Sequence, residues 1–182
     1  MNKNENHRPF DVISHEEVFV GRFKIIKDTI RIAGEDYPYS YDASDDCVVI
    51  LPFIGEKVVL IKEYRHCLND WFWEVPAGGV GKRNPLEAAK AELLEETGCK
   101  ANELIFIGKY PVSLGTSSSY SYIYAAECKF RGTQNLEKTE FIKVQEVSIT
   151  KFEEMIGNKE FLHMAGIIAW TLYKEKRQQK GA

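Results

Sequence analysis

Between Val18 and Ile32 the run VFVGRFKIIKDTIRI alternates apolar with charged residues. That period of two predicts half-buried strands, with a turn near Lys27 and Asp28. The following GEDYPYSYDASDD is rich in turn formers and tyrosine and reads as a connection. Residues 47–53 and 57–64 are dense in Val, Ile and Leu, and Ile54-Gly55-Glu56 between them reads as a tight hairpin. A loop over 67–70 leads to the aromatic strand WFWE at 71–74 and then to VPAGGVG, where glycines permit close backbone approach.

The next segment is punctuated as a helix. Asn84 is placed to cap it, Pro85 fits its first position, Glu87 stands where a capping-box carboxylate would, and Gly98 fits a left-handed stop. Leu86, Ala89, Leu93 and Thr97 are expected to face the sheet. Residues 104–112, 120–130 and 141–147 read as strands, and Ile149-Thr150 opens a short helix. A final helix is expected from about residue 159 to 176, with Phe161, Met164, Ile168 and Leu172 in register. Residues 1–10 read as loosely attached. Strands on both sides of one central helix, closed by C-terminal helices, predict an α/β (α+β) fold in which a mixed β-sheet is sandwiched between helices. An N-terminal antiparallel strand extension (1–45) is expected to precede the main domain (46–182).

Composition narrows the class. A chain of 182 residues accommodates one well-buried domain with a small extra lobe. The net charge of −3 carries no basic footprint for nucleic acid. The four cysteines, Cys47, Cys67, Cys99 and Cys128, are scattered without a C-x-x-C pair, which argues against zinc or a redox motif. The polar start MNKNENHRPFDVISHEE is not a signal peptide. No apolar run reaches the ~18 residues of a membrane span. A cytoplasmic protein without membrane or nucleic-acid partners is expected.

Candidate chemistry sits in AELLEETG, residues 91–98. On a helix, Glu92, Glu95 and Glu96 share one side, with Cβ atoms about 5–6 Å apart. Three anions that close repel one another unless a hard cation neutralises them, and all-oxygen donors suit Mg²⁺ or Mn²⁺. The alternative is a solvated acidic helix face.

With the glycine-rich loop, the capped helix and E-L-L-E-E-T-G together, the chain resembles the Nudix hydrolase superfamily, and within it the ADP-ribose pyrophosphatase-like branch. That family's box runs G-x5-E-x7-R-E-U-x-E-E-x-G-U, where U is a bulky apolar residue. Its second half stands here as Glu92-Leu93-x-Glu95-Glu96-x-Gly98-Cys99. Glu63-Tyr64-Arg65, Trp73-Glu74-Val75-Pro76-Ala77-Gly78 and Leu86-Glu87-Ala88-Ala89 match the flanks. Two departures stand out. The loop is one residue short, so counting back from Gly98 places Ala77 and Arg83 where the box has its first Gly and Glu. The box arginine, which would sit one turn from Glu87 and Glu95, is Ala91. Lys90 points about 100° away around the helix and substitutes poorly.

The resemblance implies a fold, a reaction and a set of roles. Glu92 and Glu96 would be the main ligands of Mg²⁺ or Mn²⁺, with Glu95 and the Ala77 carbonyl as further ligands and Glu95 also counted among the catalytic groups. Arg65 would contact a diphosphate oxygen or ribose, or else serve as an ion-pair partner. Gly78 and Gly115, the latter in the loop Leu114–Ser119, would lie against substrate. Trp73, or another of Tyr64, Trp71 and Phe72, would stack on a base. A general base is sought in the loop before the last strand, with Glu140 first and Glu137 in reserve. The implied activity is hydrolysis of ADP-ribose or a related nucleoside diphosphate derivative by a homodimer joined through the N-terminal strands. With the box arginine gone, a domain that only binds or senses nucleotide is the alternative.

Overall fold

In the computed structural model, which describes residues 8–180, the chain forms two compact units. The first comprises the described residues up to Asp45 together with Pro111–Ser119, and the second Asp46–Tyr110 with the described residues from Tyr120 on. Residues 1–7, part of the stretch read as loosely attached, lie outside the described residues.

The first unit is an antiparallel sheet of three strands in sequence order: β1 (Asp11–Val20), β2 (Phe23–Ile32) and β3 (Glu35–Asp42). Two sequence expectations are corrected here. The first turn falls at Gly21, whose φ of +59° is open to glycine, and Lys27-Asp28 instead pairs within β2. The tyrosine-rich segment is a strand rather than a connection. Ala33 and Gly34 make the turn with positive φ, and Pro38 is tolerated because β3 is an edge.

The second unit is a seven-stranded mixed sheet of β4 (Cys47–Ile54), β5 (Lys57–Arg65), β6 (Asp70–Glu74), β7 (Ala77–Gly79), β8 (Cys99–Pro111), β9 (Tyr120–Arg131) and β10 (Ile142–Ser148). Its main order is β10-β5-β4-β9-β8, with β6 on β5 and β7 on β4. The β4–β9 pair is parallel. The expected hairpin between β4 and β5 forms, with Gly55 at φ +56°. Helix α1 (Pro85–Thr97) covers one face over Val48, Ile50 and Val59. Helices α2 (Ile149–Gly157) and α3 (Met164–Lys180) cover the other over Val49, Leu51, Val58 and Leu60. Strands buried on both faces explain why β4 and β5 read as continuous apolar runs. No helix among the described residues is long and apolar enough to cross a membrane.

The final helix begins five residues later than expected. Residue 159 has φ +66°, and Phe161 is fully buried outside any helix, edge-on to Phe152 with ring centroids 4.9 Å apart. Its ring fills the space beside Gly166, where a Cβ would meet Phe161 Cζ at 2.7 Å. The buried stripe of α3 therefore runs through Ala169, Trp170 and Tyr173, and Met164 is exposed.

Candidate functional site: a carboxylate cluster between α1 and the sheet

Helix α1 starts and stops as its sequence specifies. The Asn84 side chain accepts the Glu87 N–H at 2.9 Å, Pro85 occupies the first turn, and Gly98 at φ +72° donates to Leu94 O at 2.8 Å. Its orientation differs from expectation. The buried stripe is Ala88, Ala89, Glu92, Leu93, Glu96 and Thr97, while Leu86 is exposed. Two of the three glutamates thus lie within the sheet-facing stripe rather than beside it.

Strand β7 makes room for them. Gly78 pairs with Val48 of β4, and a Cβ at position 78 would land inside the Glu92 carboxylate. Glu96 Oε2 accepts the Ala77 N–H at 3.0 Å. Glu92 Oε1 accepts from Arg83 Nη2 at 3.0 Å. Glu95 is half-buried, and its charge bears on Glu92. We expect Gly78→Ala to push Glu92 off Arg83 and cost about 1–3 kcal/mol, the usual penalty for adding a methyl to filled space. Gly79→Ala, which meets nothing within 4 Å, should leave the urea midpoint unchanged and serves as the control.

The sheet supplies carboxylates that the sequence reading did not assign. Along β5 the face carrying Val59 and Ile61 ends in Glu63 and Arg65, by strand alternation. Arg65 donates through Nε and Nη2 to both oxygens of Glu74 at 2.7 and 2.6 Å, and its Nη1 lies 2.8 Å from Glu63 Oε1. Glu63 Oε2 is buried with no hydrogen-bond partner among the described residues. The sequence signals for Glu63 were its place in the Glu63-Tyr64-Arg65 flank and a carboxylate following Val59 and Ile61 on one strand face.

The loop before β10 docks on the last turn of α1. Gln134 Nε2 donates to Glu96 O at 2.7 Å, Asn135 N–H to Glu95 O at 2.9 Å, and Gly132 N–H to Gly98 O at 2.8 Å. These bonds satisfy helix-end carbonyls that would otherwise lack partners. They also carry Glu140 toward the cluster, where its charge bears on Glu63, Glu92 and Glu96. Glu140 Oε2 accepts the Glu137 N–H at 2.8 Å, while Glu137 itself is exposed.

Crowding shows in the acidities. Burial, then the charges of Glu63, Glu92 and Glu140, push Glu96 up to about 9 against the help of the Ala77 N–H. Burial raises Glu63 to about 7 despite Arg65. Burial and Glu95 raise Glu92 against the pull of Arg83.

One sequence candidate of this unit, Trp73, is not gathered here. Trp73 stands on the opposite face of β6 from Glu74, packed against the α2/α3 core with Lys62 Nζ 5.3 Å from its ring. Gly115 belongs to the first unit, in a loop tied to β3 by Asp42 N–H to Thr116 O at 2.9 Å.

The donor set fits a hard divalent cation. It is all carboxylate, it holds an orphaned buried oxygen, and its negative charge exceeds that of its two guanidiniums. Among the described residues no three His, Cys, Asp or Glu side chains form a ready-made ligand cage. Only one oxygen of Glu92 and one of Glu96 are taken up by hydrogen bonds.

Comparison with known proteins adds to this geometry. A family model described as the NUDIX domain matches residues 44–168. The chain is 26% identical over 154 residues to the ADP-ribose pyrophosphatase of Bacillus subtilis (strain 168), covering 81% of this chain and 83% of that protein. It is 25% identical over 163 residues to the methanol dehydrogenase activator of Bacillus methanolicus, covering 86% and 88%. A crystal structure of an ADP compounds hydrolase superposes with a TM-score of 0.82 at 20% identity, over 96% of this chain and 97% of that one.

Proposed function

Because the chain belongs to the Nudix hydrolase family, on its ADP-ribose pyrophosphatase-like side, we propose that it is a divalent-cation-dependent pyrophosphohydrolase. It cleaves ADP-ribose or a related nucleoside diphosphate sugar to a nucleoside monophosphate and a sugar phosphate. The observation that carries this reading is the under-neutralised carboxylate cluster of buried Glu63, Glu92 and Glu96 with half-buried Glu140.

Glu92, Glu95 and Glu96, with the Ala77 carbonyl, would hold Mg²⁺ or Mn²⁺, which supplies neutralisation of charge developing on the diphosphate. Glu140 Oε1, left open while Oε2 accepts the Glu137 N–H, takes the proton of the water that attacks phosphorus. Arg65 keeps Glu63 and Glu74 in place and bounds the site with positive charge. The homodimer belongs to the same reading, and the exposed Phe19, Val20, Phe23 and Ile32 of the first unit support it.

A nucleotide-binding module is the second reading, favoured by Ala91 in place of the box arginine. One experiment separates the two. Nucleoside diphosphate sugars, ADP-ribose among them, are incubated with Mg²⁺, with Mn²⁺ and with chelator, and monophosphate release is measured. We expect cation-dependent cleavage of an ADP sugar. Binding without product across the panel would replace the hydrolase by the module.

A further inference from the structure

We propose that Arg83 is a positioning residue of the carboxylate site, giving Glu92 from the loop the cationic support that helix α1 does not carry. The inference deepens the pyrophosphohydrolase reading and rests on it.

Helix α1 holds Glu87, Glu92, Glu95 and Glu96 against one base, Lys90, which is exposed. Three of those acids crowd its C-terminal half, where the helix dipole presents its negative end and no basic residue occupies the last turn. A buried carboxylate there is costly unless a cation meets it. Position 91 offers only Ala91, and Arg65 is spent on Glu74 and Glu63. Among the described residues the cation in contact with Glu92 is Arg83.

The arrangement around Arg83 is built rather than incidental. Its Nη2 donates both to Glu92 Oε1 at 3.0 Å and to Gly79 O at 3.2 Å, and its own N–H donates to Val80 O at 3.1 Å. One nitrogen therefore ties the end of β7 to the middle of α1, and the turn through Gly81, at φ +56°, folds back to let it do so. Gly78 completes the arrangement by leaving the space that the Glu92 carboxylate fills. With Oε1 fixed by the guanidinium, Glu92 keeps Oε2 for a ligand. Arg83 acts through Glu92 and touches no reacting atom.

The test compares Arg83→Gln and Arg83→Lys with Lys82→Gln, an exposed neighbour outside the site. Binding of Mn²⁺ is read from the EPR signal of the free ion, alongside kcat and KM for ADP-ribose and the melting temperature. Arg83→Gln should weaken Mn²⁺ about 10–100-fold, the usual cost of removing a group that orients a metal ligand. Its kcat should fall in parallel while KM holds. Arg83→Lys should recover part of both, and Lys82→Gln should match the wild type. Wild-type Mn²⁺ affinity and kcat in Arg83→Gln would overturn the role of Arg83 and leave the site reading standing. A fall in Mn²⁺ affinity explained by a matching loss of folded protein would also overturn it. A wild-type protein that neither binds Mn²⁺ nor turns over substrate would overturn the site reading and the role of Arg83 together.

Discussion

Glu96→Gln is expected to lower cation-dependent turnover by about a hundredfold or more. A divalent cation supplies several kcal/mol to a phosphoryl transition state, and about 3 kcal/mol corresponds to roughly a hundredfold in rate. Glutamine keeps the size of the side chain and can still accept the Ala77 N–H through its amide oxygen. Packing beneath the buried position 96 is therefore preserved while the negative charge is lost. Steady-state rates at saturating Mg²⁺, with the melting temperature as a folding control, check the effect. Unchanged turnover in a folded Glu96→Gln protein would mean that the cluster is not the site.

Stability in the absence of divalent cations is expected to fall by several kcal/mol as pH rises to about 9, because a tenfold change in a group's proton affinity on folding corresponds to about 1.4 kcal/mol. Glu96 and Glu63 release their protons near 9 and 7 in the folded chain but near 4.5 when unfolded. Across that window the native state binds more protons than the unfolded one, so each rise in pH favours unfolding. The contribution is fully present below about 4.5 and is lost once pH has passed the folded values. Half-buried His163 opposes the trend, since desolvation lowers its folded value, and so does the Cys99 thiol, which its hydrogen bond with Cys128 lowers. Glu96→Gln removes one carboxyl and isolates its share: its pH slope should be flatter than that of the wild type. Added Mg²⁺ or Mn²⁺ binds the folded anions and should raise the wild-type melting temperature more at pH 8 than at pH 5. Thermal melts across pH, with and without cation, give both results; parallel slopes for the two proteins would remove Glu96 from the account.

Much of the second unit was legible from local rules. Asn84, Pro85 and Gly98 fixed the ends of α1 because capping depends on residues a few positions apart. Apolar density marked β4 and β5, and Gly55 marked their hairpin. The first unit was less legible: EDYPYSYD forms a strand by pairing with β2, and although Tyr37, Tyr39 and Tyr41 alternate along it, its proline and polar residues read as turn formers. The start of α3 was misplaced for a related reason. Phe161 has helical spacing in sequence, yet its burial against Phe152 and Gly166 takes it out of the helix.

For the site, local sequence was enough to put three glutamates on one helix behind a glycine-rich loop, because helical period and capping act over a few residues. It also established the family resemblance. Which partners those glutamates meet was left to the packing of the elements. Glu63 and Arg65 reach them through strand alternation, and Glu74 is brought to Arg65 by the β5–β6 pairing. Glu140 reaches them through a loop bonded to the last turn of α1. Arg83, nine residues before Glu92, meets it because Gly78 leaves space for the carboxylate. Contacts of this kind depend on how separate elements pack, and burial then sets their charge, so no window of sequence contains them.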